Sequence, residues 1–121
     1  MKVINTTDAP AAVGPYSQGM MENGFIFLSG QLPIDPKTGI MPETIEEQAH
    51  ESCKNVGALL KEAGSSFDRV IKTTCFLSDM ADFAAFNSVY EKYFTSKPAR
   101  SCVAVRELPK GAKCEIEVVA Y

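Results

Sequence analysis

The chain has 121 residues, 45% of them hydrophobic, and 12 lysines and arginines against 15 acids give it a net charge of −3. That length suits one domain spanning residues 1–121, able to bury roughly two-thirds of its unfolded surface without a disulfide framework. The acidic balance lacks any basic cluster, which argues against a phosphate-tracking nucleic-acid surface, and no apolar run approaches the roughly 20 residues of a membrane span.

Residues 1–6 lack the apolar core of a signal peptide. Next, residues 16–21 and 25–29 flank Glu22-Asn23-Gly24, and an Asn-Gly turn between apolar runs predicts a β-hairpin. Residues 30–42 are rich in Pro and Gly and read as a structured surface loop. Thr44-Ile45-Glu46-Glu47 has the form of a capping box, opening a helix whose stripe of Ile45, Ala49, Cys53, Val56, Leu60 and Ala63 keeps helical spacing until Gly64 stops it. Residues 70–77 read as a strand by β-branched content, and 79–94 as a second helix lined by Phe83, Phe86, Tyr90 and Tyr93. Two last strands follow, near 100–105 and 113–120, joined by Arg106 to Ala112. The order ββαβαββ describes an α+β domain with two helices on one sheet face. Phe25-Ile26-Phe27-Leu28 and Val118-Val119-Ala120 nevertheless offer apolar side chains to both faces, so a homo-oligomer in which sheets pack together is expected.

Four cysteines, Cys53, Cys75, Cys102 and Cys114, form no C-x-x-C pair, so neither a zinc site nor a secreted disulfide framework is signalled. A reduced, cytoplasmic protein is expected, without metal or cofactor. Walker, dinucleotide and HExxH patterns are absent. His50 is the single histidine and is expected to be solvated or capping. The residue that calls for explanation is Arg100, in Pro98-Ala99-Arg100-Ser101-Cys102-Val103, because a guanidinium among small and apolar neighbours needs an anionic partner. Both this strand and Lys113-Cys114-Glu115-Ile116-Glu117-Val118 read as carrying inward-aimed polar groups. Arg100 shares a face with Cys102, and Glu115 with Glu117. In a simple terminal hairpin Arg100 would lie across from Glu117 and Cys102 from Glu115, but the seven-residue connector could equally skip over a strand. The plain alternative is an ordinary ion pair between Arg100 and one glutamate. Cys102 reads as a small polar wall rather than a nucleophile. Tyr16, Ser29 and the Gly30 amide offer hydrogen-bond donors where loops leave the sheet.

The segments APAAVGPYSQ at 9–18, SGQ at 29–31, VIKTT at 70–74, PARSC at 98–102 and EIE at 115–117, in that order, resemble the reactive intermediate deaminase family, RidA or YjgF. The resemblance runs nearly end to end. It implies a chorismate-mutase-like subunit in a homotrimer with clefts between chains, and a last strand inserted beside 70–77 rather than a terminal hairpin. It also implies hydrolysis of small 2-imino and enamine acids, such as 2-aminoacrylate and 2-aminocrotonate, to 2-oxo acids and ammonia. Arg100 would bind the substrate carboxylate with help from the Gly30 amide, and Glu115 would orient and deprotonate water. The choice of Glu115 over Glu117 comes from the motif alone. Tyr16, Ser29, Asn87 and Cys102 match pocket-lining positions, some from the neighbouring subunit. One departure is the short connector Thr95-Ser96-Lys97, where some relatives carry a longer segment with an aromatic before the proline. Two other classes remain: a non-catalytic carboxylate-binding regulator, and an endoribonuclease or translation inhibitor, against which the acidic balance counts.

Overall fold

A computed structural model describes all residues 1–121. One six-stranded mixed sheet runs the length of the molecule: β1 (Lys2–Ile4), β2 (Gly19–Glu22), β3 (Phe25–Gln31), β4 (Val70–Leu77), β5 (Ala99–Ala104) and β6 (Cys114–Ala120) lie in the order β1-β2-β3-β6-β4-β5. Helices α1 (Ile45–Glu62) and α2 (Phe83–Tyr93) pack on one face. This is the expected α+β architecture with one added strand: β1, three residues long, pairs with β2 at the sheet edge. No helix is long and apolar enough to cross a membrane.

Local signals fixed the element ends. The predicted hairpin forms β2 and β3 around Asn23 and Gly24, whose φ angles of 52° and 81° suit this tight turn. Thr44 caps α1, its Oγ1 accepting from the Glu47 amide at 3.1 Å and donating to Glu47 Oε1 at 2.8 Å. At the other end Gly64 takes φ 76°, while its amide donates to Lys61 O and the Ser65 amide to Leu60 O, a Schellman stop. The second helix begins later than predicted. Asp79 caps a 3-10 turn over Met80–Asp82 by accepting from the Ala81 amide at 2.8 Å, and α2 starts at Phe83.

The terminal hairpin does not form. β6 inserts between β3 and β4, antiparallel to both, and β5 runs parallel to β4 at the sheet edge. The core lies between sheet and helices, with Ile26, Leu28, Cys75, Leu77, Ile116, Val118 and Ala120 from the strands meeting Ala49, Cys53, Val56, Leu59, Leu60 and Phe86 from the helices. His50 is half-buried, not solvated: its Nδ1 lies 3.0 Å from the Tyr93 hydroxyl, tying α1 to α2. The other sheet face is uncovered. Phe25 and Phe27 on β3 and Val103 on β5 each keep 46–49% of their surface accessible there, an unusual apolar display for a strand face.

Candidate functional site

Two clusters of the expected site residues form, and they stand on opposite faces of the sheet. Arg100 on β5 pairs in register with Thr73 on β4, a residue wholly buried under α2, so Arg100 points to the helix side. Glu115 on β6 pairs with Phe76, whose neighbours Cys75 and Leu77 are the buried ones, so Glu115 points to the uncovered side. The expectation that both strands aim polar groups inward therefore holds for Arg100 and Cys102 and fails for Glu115 and Glu117. The ordinary Arg100–glutamate ion pair is absent as well. The chain's ion pair joins the Met1 ammonium to Glu22 Oε1 at 3.2 Å.

On the helix side, α2 shapes the surroundings of Arg100. Its Nη1 donates to Asn87 Oδ1 at 2.8 Å, and its Cζ lies 4.7 Å from the Tyr90 ring centroid and 5.6 Å from that of Phe83. Asn87 thus orients the arginine in this chain. A cavity of about 300 Å³ opens beside the pair, lined by Asn87, Tyr90, Phe94, Lys97, Pro98 and Arg100 together with the carboxylate-bearing Glu91. The short connector enters here as a tight turn, with Lys97 at φ 55° and its amide donating to Phe94 O at 3.2 Å. Cys102 is half-buried on the same strand face. Burial pushes its thiol pKa up and the Arg100 charge only partly opposes that, so it stays a thiol, in keeping with a wall rather than a nucleophile.

On the uncovered side, Glu115 lies against Gly30: a Cβ at residue 30 would sit 2.7 Å from Glu115 Cδ and 2.9 Å from Oε1. Glycine is required there by close approach, not by φ. Burial raises the Glu115 pKa and the neighbouring Glu117 raises it further. Ser29 donates its hydroxyl to Ser17 O at 2.6 Å, leaving oxygen lone pairs to accept. Tyr16, half-exposed, shares with Gly30 a cavity of about 210 Å³ whose walls include Pro10, Val13, Leu32, Ile34 and Lys110.

The loop that carries Tyr16 and the one that follows Gly30 on β3 are held by buried amides. Gln18 Nε2 donates to Thr6 O, Ala9 O and Pro10 O while its Oε1 accepts from the Thr6 amide at 2.7 Å, folding residues 6–10 back onto β2. Asn55 Nδ2 donates to Leu32 O and Ile34 O, both at 2.9 Å, and Gln48 reaches Pro42 O and the Lys113 amide, pinning residues 32–42 and the start of β6 to α1. Sequence reasoning missed these supports, and it read Tyr90 as core alone. The usable signal for Tyr90 was its place three residues after Asn87, on the same face one turn along α2.

The fold agrees with comparisons to known proteins. The profile of the endoribonuclease L-PSP family matches residues 6–121. The chain is 47% identical over 123 residues to the 2-iminobutanoate/2-iminopropanoate deaminase of Salmonella typhimurium, covering 98% of this chain and 96% of that protein. It is 53% identical over 122 residues to a proposed regulator of Lactococcus lactis, AldR, covering 99% and 97%. Among solved structures, Escherichia coli TdcF with bound serine superposes with a TM-score of 0.96 at 44% identity, covering 99% of this chain and 98% of that one. The chain belongs to the endoribonuclease L-PSP family, the RidA/YjgF family whose ordered motifs its sequence carries.

Proposed function

We propose that this protein hydrolyses reactive 2-imino acids and their enamine tautomers to 2-oxo acids and ammonia, in clefts between the subunits of a homotrimer. The observation that carries the reading is Arg100: a half-buried guanidinium, oriented by Asn87 and two aromatic rings, with no carboxylate partner in its own chain. Such a group receives an external carboxylate in a bidentate fork. The deaminase relatives supply the substrate class, 2-iminobutanoate and 2-iminopropanoate.

Because Arg100 and Glu115 face opposite ways within one subunit, the cleft takes Arg100, with Asn87 and Cys102 around it, from one chain and Glu115, Gly30, Ser29 and Tyr16 of the partner subunit from the next. The uncovered apolar strand face around Phe25, Phe27 and Val103 supports that association. The chemistry asks little of the protein. A protonated imine is already electrophilic at C2; water adds there as Glu115 removes its proton, Glu115 returns that proton to nitrogen, and as the carbinolamine collapses its hydroxyl proton passes to the departing ammonia. The balance is one iminium and one water in, one 2-oxo acid and one ammonium out. A raised Glu115 pKa suits this exchange.

The test couples a threonine dehydratase to semicarbazide trapping of the free imine. Wild-type protein is expected to reduce trapping and speed 2-oxobutanoate release, and Arg100→Ala to do neither while keeping its assembly. Turnover preserved in Arg100→Ala contradicts the assigned role. The regulator reading has its own support in the AldR relative; saturable 2-oxobutanoate binding without faster imine hydrolysis would select it.

A further inference from the structure

We propose that Tyr90 is a positioning residue for Arg100: its ring sets the plane of the guanidinium, and Thr73 fixes that ring by holding the Tyr90 hydroxyl. The inference rests on the reading of Arg100 as the carboxylate receptor and adds what makes that receptor rigid. The Arg100 Cζ stands 4.7 Å from the Tyr90 centroid, and Asn87 Oδ1 takes one Nη1 proton at 2.8 Å. The ring fixes the plane and the amide fixes the direction within it, leaving the remaining N–H donors for a carboxylate.

The ring itself is braced. It stacks on Phe94 at 4.3 Å with an interplanar angle of 19°, and it meets Phe86 at 5.9 Å. Its hydroxyl lies 2.8 Å from Thr73 Oγ1, on a threonine that is 0% exposed in the centre of β4. A Phe and Val pair would fill the same space without desolvating two hydroxyls. What the polar pair adds is a fixed ring position under the guanidinium. An arginine held this way loses less side-chain freedom when it binds an anion than a free one does, which lowers the cost of substrate binding without touching the chemical step.

The test reads Arg100 directly and then kinetically. In ¹⁵N-labelled wild-type protein the Arg100 Nε–H resonance, assigned by its loss in Arg100→Ala, is expected upfield from the ring current of Tyr90. Tyr90→Leu should remove most of that shift, leaving what the Phe83 ring contributes, and raise KM for the imino acid roughly 10- to 30-fold with kcat little changed. Tyr90→Phe, which keeps the ring but loses the hydroxyl that Thr73 holds, should raise KM less, about 3-fold, and a wild-type KM there would remove Thr73 from the account. A purely structural role would lower Tm and the active fraction and leave KM alone. An unshifted Arg100 resonance in wild type overturns the inference even if Tyr90→Leu does not fold, as does a folded Tyr90→Leu with wild-type KM. If the wild type proves to have no deaminase activity, the functional reading fails separately, and Kd for 2-oxobutanoate replaces KM: about 10-fold weaker binding in Tyr90→Leu sustains the positioning role, unchanged binding ends it.

Discussion

Arg100 and Glu115 sit on the two strands that flank β4, yet their surroundings differ. Around Arg100 the chain supplies an amide partner, two aromatic rings and a helix behind them. Around Glu115 it supplies a glycine, a second carboxylate and an uncovered sheet face. The cluster around Arg100 is enclosed within the chain and the one around Glu115 is open. A face with Phe25, Phe27 and Val103 uncovered, beside a carboxyl whose pKa burial already raises, is where the proposed association between copies of the chain would take place.

The most damaging way to break this asymmetry is to charge the open face. Phe27→Asp is expected to prevent subunit association and with it all imine hydrolysis, while the helix side keeps its core; light scattering and activity on the same sample check both. Intermediate in effect, Gly30→Ala introduces a Cβ within 3 Å of three Glu115 side-chain atoms. The carboxyl must turn away, and kcat/KM should fall roughly 10- to 100-fold with little change in Tm. A wild-type kcat/KM in this variant would separate Glu115 from the chemistry.

The smaller effects are electrostatic. Glu117 raises the Glu115 pKa, so Glu117→Gln should move the acid limb of the kcat/KM profile to lower pH, whereas substitutions beside Arg100 should leave that limb in place. Stability follows the same shift. A carboxyl whose folded pKa is raised binds its proton more tightly in the native state. Its contribution is therefore fully present below the ordinary carboxylate pKa and is lost as pH rises through the raised value. Glu115→Gln should flatten that fall, melting slightly above wild type at about pH 8 and not at about pH 4.

The sequence made the local structure legible where a short signal decided it. The capping box at Thr44, the Gly64 stop and the Asn23-Gly24 hairpin each depend on a few neighbouring residues. β1 escaped because three residues carry no periodicity to read. Arg100 stood out because a guanidinium in an apolar strand demands an explanation, and its match to the PARSC motif pointed the same way. What alternation cannot do is relate two strands: it pairs Arg100 with Cys102 and Glu115 with Glu117 but leaves the faces of the two pairs unconnected. That relation is set by the insertion of β6 between β3 and β4, a long-range pairing that the residues of β5 and β6 alone left open and that the family resemblance supplied. Tyr90 was hidden by its own packing, since a residue that braces a site from within the core has the same helical spacing as one that only fills it.

The most direct test of a site shared between chains is complementation. Arg100→Ala and Glu115→Gln subunits are each expected to be inactive alone; unfolded together in equal amounts and refolded, they should regain about a quarter of wild-type activity, because one cleft in four then joins an intact Arg100 to an intact Glu115 of the partner subunit. No recovery in mixed trimers, verified by mass spectrometry to contain both chains, would contradict the account.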